Sequence, residues 1–313
     1  MLAVAGRPPD TAAWAIEMKW DGVRAIVVCD GDTCRLYSRN KRDITGSYPD
    51  LVEAIAAAAR GRELILDGEI IAQTPNGAPS FGLLQRRMHV VRPSNELIRA
   101  VAVQFYAFDV LAVDGDATTD LPYLVRREQL YDLTLSGGLV SSPPHWLGQA
   151  ADRMLELARE HHLEGIVSKE TESTYHPGRR CPVWIKTPLR HTTEAIVAGW
   201  TPGNGMLAPT FGSLVLAAHN SDKRLVYIGN VGTGFTVLAR RALRKQLDDL
   251  AVDTSPFDPI PDRRELRAAR WVRPELVGDI EYREYTGDGL RHPSWRGLRT
   301  DKTPDEIKWE LFD

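Results

Sequence analysis

Apolar and polar residues alternate on both sides of an Asp21-Gly22 pair near the start of the chain. Before this pair, apolar side chains occupy every second position over residues 14–20, and after it a second apolar run covers 25–28. A period of two is typical of a strand with one buried face, and Asp-Gly is typical of a tight turn. The pattern predicts a β-hairpin with Lys19 at the edge of its first strand.

Similar patterns predict the elements that follow. A helix is predicted to begin at Ser47, to bury an apolar face that repeats every three or four residues, and to stop at Gly61. The segment 141–146, which contains two prolines, is predicted to be a loop. Further strands are predicted over residues 34–39, 64–72, 101–113, 164–170 and 182–187, and helices from residue 80, over 126–134 and over 150–162.

The strand predicted over 64–72 is interrupted by two carboxylates, Asp67 and Glu69. A buried charge without a partner costs several kcal/mol, so a central strand rarely holds two carboxylates unless other groups pair with them. We expect these side chains to have partners in the fold.

Near residue 190 the pattern changes to short strands separated by glycine and asparagine turns. Strands are predicted over 194–200, 212–219, 224–234 and 276–285, and one helix over 236–250. Short strands and one helix in about 120 residues are typical of a small barrel such as an OB-fold. The predicted fold is therefore α+β. A domain of antiparallel sheets with flanking helices covers residues 1–188, and a β-barrel OB-fold domain covers 189–313.

The composition favours a cytoplasmic protein. The 313 residues are 43% hydrophobic, which is enough for two cores, but no apolar run reaches the roughly 20 residues of a membrane span. The first residues do not resemble a secretion signal. The three cysteines, Cys29, Cys34 and Cys181, show no paired spacing, so we expect reduced thiols and no zinc site. The scattered histidines are assigned no metal.

The net charge of −3 does not by itself indicate a nucleic-acid-binding protein. The distribution is more informative, because each basic cluster could contact phosphates if its members lay on one face. For 240–245 we favour a solvated helix face with nearby acids. The clusters lie at residues 39–42, 86–87, 179–180, 240–245, 263–270 and 296–302.

Charged residues interrupt most of the strands predicted in the first domain. If the sheets stack, these residues converge in one cleft. Acidic and basic groups around one cleft suit a nucleoside triphosphate and its metal ion. The interrupting residues are Lys19, Arg24, Arg39, Glu69, Asp109, Glu164, Lys169 and Lys186.

Seven short motifs along the chain resemble those of a known enzyme family. They are KWDG at 19–22, SR at 38–39, LDGEI at 66–70, FYAFDV at 105–110, EGIVSK at 164–169, WIK at 184–186 and RGLRTDK at 296–302. In this order, they make the sequence similar to the ATP-dependent DNA ligases of the covalent nucleotidyltransferase superfamily, in particular the compact bacterial modules of end joining. On its own, a lysine beside Asp-Gly is also typical of an ordinary turn.

The resemblance implies that Lys19 is the nucleophile. In the family, the lysine attacks the α-phosphorus of ATP and retains AMP, which passes to the 5′-phosphate of a nick and is displaced by the 3′-hydroxyl. An ordinary lysine amine is almost fully protonated at pH 7, so cations such as Lys186 and Arg24, together with a bound metal, would favour its neutral form. The implied cofactors are ATP and Mg²⁺, for which Mn²⁺ could substitute.

The other implied roles have structural alternatives. Glu17 would lie at the adenine edge, or it is a strand-end carboxylate that faces water. Phe108 would stack on adenine, or it is a core aromatic. Glu69 would bind the ribose hydroxyls and, with Glu164, the divalent ion.

Basic residues would bind the phosphates. By resemblance, Arg24, Arg39 and Arg180 would hold the triphosphate or the 5′-phosphate of the nick, since forked guanidinium donors match phosphate oxygens. Lys186 would contact the nucleotide as well. Arg299 and Lys302 of the last motif would reach the pyrophosphate when the second domain moves, which makes residues 187–193 a predicted hinge.

The fifth motif departs from the family pattern. The family usually has two lysines separated by one residue, but here Lys186 is followed by Thr187 and Pro188. Loss of one such electrostatic donor can cost about 100-fold in rate, so sealing would be slow unless Arg190 substitutes. Alternatively, Pro188 ends the strand and stiffens the hinge.

Two other functions stay open. An RNA ligase or a guanylyltransferase would share the lysine and the cleft, and a nucleotide-dependent nucleic-acid binding module with weak catalysis is compatible with Pro188. The expected partner is nicked double-stranded DNA, bound by a monomer at the bacterial nucleoid and not at a membrane. An end-binding protein and a polymerase or primase are open as further partners.

Overall fold

The computed structural model describes residues 1–9, 11–74, 77–135 and 138–309. Contacts between residues divide the chain into two compact units, Met1–Leu189 and Arg190–Asp313. In the described ranges, every helix is too short or too polar to cross a bilayer.

The first unit alternates strands and helices. Its helices are α1 (Pro49–Ala59), α2 (Phe81–Gln85), α3 (Asn95–Ala100), α4 (Tyr123–Asp132) and α5 (Ala151–Glu160). Its strands are β1 (Leu2–Ala5), β2 (Trp14–Lys19), β3 (Val23–Asp30), β4 (Thr33–Ser38), β5 (Leu64–Ala72), β6 (Val103–Val113), β7 (Asp116–Ala117), β8 (Val140–Ser141), β9 (His145–Leu147), β10 (Gly165–Glu170) and β11 (Arg180–Pro188).

These strands form two sheets. The five-stranded sheet has the order β1-β11-β10-β2-β9, and the six-stranded sheet has the order β4-β3-β5-β6-β7 with β8 beside β6. The pairing is antiparallel except at two edges, where β1 runs parallel to β11 and β8 parallel to β6. The prediction of an α+β domain with antiparallel sheets is confirmed, with these two parallel pairs as additions.

The apolar positions of the predicted elements face two separate cores. In β2, Ile16 and Met18 pack against Met154 and Ala158 of α5, on one face of the five-stranded sheet. The six-stranded sheet buries its own apolar face against α1 and the loop before it. The polar residues that alternate with these positions are therefore directed to the opposite faces, which face each other.

The start of α1 differs from the prediction. The helix begins at Pro49, whose fixed φ suits a first helical position, and Tyr48 precedes it without a side-chain cap. Ser47 is buried in a short 3₁₀ turn and does not cap the helix. The predicted stop is confirmed, since Arg60 and Gly61 both have positive φ.

Two cysteines also differ from the prediction. Cys29 of β3 and Cys34 of β4 face each other across the hairpin, and a disulfide joins them. The expectation of reduced thiols is therefore wrong for this pair, because the antiparallel register brings together two residues whose spacing gave no signal. Cys181 is free and partly buried.

The second unit contains one α-helix, α6 (Val237–Asp249), within its described residues. The strand order β14-β13-β12-β17-β20 runs through its curved sheet, with α6 after β14 as in an OB-fold. The predicted strand 276–285 is interrupted after Tyr282. The strands are β12 (His191–Thr201), β13 (Ser213–His219), β14 (Leu225–Val231), β15 (Ala251–Val252), β16 (Arg270–Val272), β17 (Val277–Tyr282), β18 (Glu284–Tyr285), β19 (Leu290–Arg291) and β20 (Ser294–Leu298).

Candidate active site

Lys19 is the last residue of β2, at the point where the chain leaves the five-stranded sheet. The turn at Asp21-Gly22 then leads into β3 of the six-stranded sheet. The predicted β-hairpin is therefore wrong, because β2 pairs with β10 and β9 whereas β3 pairs with β4 and β5. A side chain at Gly22 would lie 2.1 Å from the carbonyl oxygen of Ile70, so only glycine permits this close approach of the turn to β5. The turn thereby fixes Lys19 between the two sheets.

The amine of Lys19 contacts Glu164. Its Nζ lies 2.5 Å from Glu164 Oε2, and the side chains are 21% and 5% exposed. Gly165, the first residue of β10, is the register partner of Lys19. Its φ of +137° and the nearby carbonyl of Thr187 exclude a side chain there. The amine is thus held by a nearly buried carboxylate and still reaches solvent.

Glu69 lies on β5 opposite Arg24 of β3 and is partly buried. Burial raises the pKa of Glu69 to about 8; the cations Lys19 and Arg24 oppose the shift, and the carboxylates Glu164 and Asp67 add to it. The two carboxylates predicted to bind metal are therefore close enough to repel each other.

Arg24 is paired within the fold. Its Nε lies 2.8 Å from Asp67 Oδ1, its Nη2 contacts Asp67 Oδ2, and the hydroxyl of Tyr175 donates to Asp67 at 2.8 Å. Burial lowers the pKa of Arg24, but Asp67 outweighs this effect and raises it. The expectation that Asp67 has a partner is confirmed, and Arg24 reaches the cleft as part of this pair.

Phe108 lies where the two sheets contact each other. Its ring centroid is 4.7 Å from Lys169 Nζ, 5.4 Å from the Arg24 guanidinium and 6.3 Å from the ring of Trp184. Phe108 is partly buried and packs against the apolar cluster of Met1, Tyr175 and Trp184. Its role as the ring that stacks on adenine stays a prediction.

Glu17 occupies the closed end of the cleft. Its carboxylate accepts hydrogen bonds from Tyr123 at 2.5 Å and from Lys169 at 2.9 Å, and the residue is 6% exposed. The alternative of a carboxylate that faces water is therefore wrong. Burial alone would raise the pKa of Glu17, but Lys169 and Arg127 hold it below the ordinary value.

Sequence reasoning assigned no role to several residues of this cleft. Tyr123 and Tyr175 donate to Glu17 and Asp67 from segments more than 100 residues away. Trp184 of β11 lies beside its register partner Lys169 of β10. The sequence shows that these residues are aromatic, but no local pattern predicts which residues they contact.

Asp109 was expected in the cleft but pairs with a helix. Arg126 of α4 donates to it at 2.8 and 3.0 Å, and both side chains are fully buried. Arg126 also donates to the carbonyls of Leu121 and Ser173. Asp109 therefore ties α4 to β6 and leaves no acceptor for a nucleotide.

The remaining predicted basic residues of the first unit are dispersed. Lys186 of β11 pairs with Val167 of β10, on the cleft face. Arg39 is exposed in the turn after β4. Arg180 is six residues from Lys186, about 20 Å along the strand, and donates to the carbonyl of Ala3. The structure does not bring Arg180 to Lys19.

The second unit holds the residues of the last motif in one cluster. Arg299 donates to Asp301 at 2.9 and 2.8 Å and to Glu194 at 2.6 Å. Lys302 Nζ lies 3.9 Å from Glu194. Arg190 is 3.6 Å from Glu281 of this same unit.

The carboxylates near Lys19 fit a magnesium ion that is shared with phosphates. Within the described ranges, no group of three or more His, Cys, Asp or Glu residues is arranged to hold a metal by itself. Mg²⁺ commonly takes one or two carboxylates plus phosphate oxygens. Glu69 and Glu164, whose repulsion a cation would relieve, match that requirement.

Comparisons with known proteins find relatives that are similar over most of this chain. A family model described as ATP dependent DNA ligase domain matches residues 7–187, and one described as ATP dependent DNA ligase C terminal region matches 208–302. The multifunctional non-homologous end joining protein LigD of Mycolicibacterium smegmatis is 41% identical over 99% of this chain. The match spans 39% of that relative, so the chain covers about two fifths of its length.

Other relatives and solved structures are similar over most of the chain. A DNA ligase of Thermococcus fumicolans is 31% identical over 93% of this chain and 53% of its own. The crystal structure of the ligase domain from M. tuberculosis LigD covers 99% of this chain and 97% of its own, with 35% identity and a TM-score of 0.56.

Proposed function

This chain belongs to the ATP-dependent DNA ligases, and we propose that it seals nicks between a 5′-phosphate and a 3′-hydroxyl through AMP bound covalently to Lys19. The observation that carries the proposal is the position of the Lys19 amine, partly exposed in the cleft, 2.5 Å from Glu164 and beside Glu69.

The first step joins Lys19 to AMP. The neutral amine attacks the α-phosphorus, a P–N bond forms, the bond to the β-phosphate oxygen breaks, and pyrophosphate leaves while the amine loses a proton. Glu164 orients the amine for this attack. Lys186 and Arg24 lie on the cleft faces of the two sheets, where they would stabilise negative charge on the phosphates.

The nucleotide base would occupy the part of the cleft that Phe108 lines. A partly buried aromatic ring between two sheets suits stacking on adenine. Glu17 lies next to this part of the cleft and is the candidate for contact with the adenine edge. Its hydrogen bonds to Tyr123 and Lys169 also hold the surrounding side chains in place.

Glu164 and Glu69 would hold a Mg²⁺ or Mn²⁺ ion. When bound, the ion supplies Lewis-acid stabilisation of the phosphate charge. Glu69 would also accept hydrogen bonds from the ribose hydroxyls. The roles of Arg39 and Arg180 on phosphates, of Arg299 and Lys302 on pyrophosphate, and of residues 187–193 as a hinge stay predictions.

The second and third steps transfer AMP to DNA. The 5′-phosphate attacks the phosphorus on Lys19, which frees the amine, and the 3′-hydroxyl then displaces AMP to form the phosphodiester. The names of the relatives support a role in non-homologous end joining. We propose that the chain acts as a monomer at nucleoid DNA with an end-binding protein and a polymerase or primase as partners.

Labelling with ATP tests the proposal. The purified chain is incubated with Mg²⁺ and radiolabelled ATP or GTP, and the modified residue is identified by mass spectrometry. We expect AMP on Lys19, no labelling in Lys19→Ala or Lys19→Arg, and normal labelling in the control Lys223→Ala, which changes an exposed lysine in a turn of the second unit.

Substrate choice distinguishes the alternatives. We expect sealing of a 5′-phosphorylated nick in DNA in preference to one in RNA. Labelling by GTP would indicate a guanylyltransferase, preferred sealing of RNA would indicate an RNA ligase, and nucleotide binding without sealing would indicate a binding module.

A further inference from the structure

Arg127 of α4 is a buried guanidinium whose hydrogen-bonding capacity is only partly used. The residue is 5% exposed, and its Nη2 atom donates to the carbonyl of Pro143 at 2.5 Å. Its Nε and Nη1 atoms are buried and form no hydrogen bond with any described residue. Because a guanidinium carries five N–H donors, its burial with one hydrogen bond is costly unless a nearby anion or a ligand compensates for it.

The anion beside Arg127 is the carboxylate of Glu17. Its Oε1 atom lies 3.9 Å from Arg127 Nη1, too far for a hydrogen bond but close enough for electrostatic attraction. Tyr123, one turn earlier on the same face of α4, donates to the same oxygen at 2.5 Å. The helix therefore presents one donor and one cation to the carboxylate that is the candidate for contact with adenine.

Two cations share this single carboxylate. Lys169 Nζ lies 2.9 Å from each oxygen of Glu17, and Arg127 adds a second positive charge. Burial and the charge of Arg127 lower the pKa of His145, the register partner of Glu17 on β9, although Glu17 opposes the shift. The cations exceed the acid at this end of the cleft, and this excess favours the ionised form of Glu17 despite its burial.

An ionised carboxylate at the base edge distinguishes adenine from guanine. The exocyclic amino group of adenine donates a hydrogen bond to a carboxylate, whereas guanine carries a carbonyl oxygen at the same ring position, which a carboxylate repels. A protonated carboxyl group would donate to that oxygen and accept guanine. The charge of Glu17 therefore decides which base fits.

We propose that Arg127 is a positioning residue that holds the carboxylate of Glu17 in place as the acceptor for the amino group of adenine, and that it thereby sets the preference for ATP over GTP. This inference rests on the proposed function and assigns a specificity-determining residue to the same nucleotide site. Arg127 acts through Glu17 on the base and not on the amine of Lys19. A change at Arg127 is therefore expected to alter nucleotide affinity and to leave the maximal rate of adenylation nearly unchanged.

Three variants separate the charge of Arg127 from its hydrogen bonds. Arg127→Gln removes the charge and keeps a polar side chain, and Arg127→Lys keeps the charge without the forked donors. Arg153→Gln is the control, since it removes an exposed arginine of α5 in the same unit. Thermal unfolding of each variant shows whether it is folded.

Three nucleotides are compared with each variant. They are ATP, GTP and purine riboside triphosphate, which lacks the amino group of adenine. Labelling of Lys19 gives, for each nucleotide, the maximal rate and the concentration at half the maximal rate (KM).

The expected loss depends on the amino group. In Arg127→Gln, the KM for ATP rises about 10-fold or more and the preference for ATP over GTP falls by a similar factor, because a hydrogen bond to a charged acceptor is lost. The KM for purine riboside triphosphate changes by less than about 2-fold, since this nucleotide has no amino group for Glu17 to accept. Arg127→Lys and Arg153→Gln keep the preference of the original protein.

A structural role alone would give a different result. If Arg127 only tied α4 to Pro143, the KM values for ATP and for purine riboside triphosphate would rise together in Arg127→Gln, and the preference for ATP over GTP would not change. Either that result or an unchanged KM for ATP would overturn the inference.

The proposed function fails on a separate result. If the original protein binds ATP but is never labelled, the ligase proposal is wrong, and affinities for the three nucleotides measured by calorimetry then test Arg127 by the same comparison. If the original protein binds none of the three nucleotides, the inference is overturned as well.

Discussion

The Nζ atom of Lys19 and the Oε2 atom of Glu164 lie 2.5 Å apart, with the carboxylate nearly buried. The contact joins the end of β2 to the residue before β10, so the amine of the proposed nucleophile is oriented by a neighbouring strand of its own sheet and not by its flexible stem alone. An amine that is held in the correct orientation toward a bound phosphate reacts faster than one that moves freely.

Replacement of Glu164 by glutamine is expected to lower Lys19 adenylation about 100-fold or more. The amide keeps the size of the side chain but loses the charge that orients the amine and that would hold the metal ion. Single-turnover labelling with ATP measures the effect. Glu160→Gln, an exposed site on α5, is the control, and equal rates in the two variants would contradict the role of Glu164.

The stability of the ATP-free protein is expected to depend on pH through Glu69. The folded chain holds this proton up to about pH 8, whereas an unfolded chain releases it near 4.5. The folded state therefore binds more protons between these values, and its free energy of unfolding falls as pH rises, by up to about 1.4 kcal/mol per pH unit.

Urea unfolding of the original protein and of Glu69→Gln at pH 5, 6, 7 and 8 measures this contribution. The difference in unfolding free energy between the two is expected to shift in favour of the variant as pH increases. Parallel stability curves would show that Glu69 is ionised at all four pH values.

A side chain at Gly22 is expected to disrupt both stability and adenylation. In Gly22→Ala the added carbon would lie 2.1 Å from the carbonyl of Ile70 and 2.9 Å from Glu69, so the turn must move away from β5. Overpacking of this kind costs about 1–3 kcal/mol, and the shift displaces Lys19 and Glu69 together.

Gly82→Ala is the matched control, because no atom lies within 4 Å of the added carbon. Alanine in α2 is expected to be neutral or slightly stabilising. Thermal unfolding and ATP labelling of both variants provide the measurement. A Gly22→Ala variant with unchanged labelling would mean that the turn does not set the position of Lys19.

A lysine at position 188 is expected to accelerate adenylation. Pro188 pairs with Gly165, and Gly165 pairs with Lys19, so a side chain at 188 lies on the same face two strands away, about 10 Å between Cα atoms. Lysine at this position can reach the phosphates, which adds an electrostatic donor of the kind worth up to about 100-fold.

Pro188→Met is the control for this change, since methionine has similar length and no charge. The rate of labelling at saturating ATP is compared between the two variants. Equal rates would favour the alternative that Pro188 ends β11 and stiffens the predicted hinge. Arg190 lies 3.6 Å from Glu281 in the second unit, and its substitution for the missing lysine stays a prediction.

Sequence patterns were sufficient for elements whose signals are local. The alternation around Asp21-Gly22 specifies two strands and the turn between them, because period and turn residues are contained within fifteen positions. It does not specify the strand partners, and β2 and β3 join different sheets instead of forming the predicted hairpin. The same holds for the stop of α1 at Gly61. The family resemblance added the proposed roles of Lys19 and its neighbours, which no periodicity could supply.

Contacts between distant segments could not be predicted in this way. The edge strand β1 is stabilised by β11, about 180 residues later, and the burial of Glu17 depends on Lys169 and Tyr123. The pairing of Asp109 with Arg126 could not be predicted from the sequence, because each residue taken alone is compatible with a functional or a structural role. Such contacts depend on the packing of the complete fold and produce no periodic pattern in the sequence.

Lys169 donates both to Glu17 in the five-stranded sheet and to the carbonyl of Phe108 in the six-stranded sheet. This one ammonium group links the five-stranded and six-stranded sheets at the Glu17 end of the cleft. The strand that carries Glu17 and the strand that carries Phe108 are therefore tied to the same cation, so loss of the Lys169 charge would loosen both sheets at once.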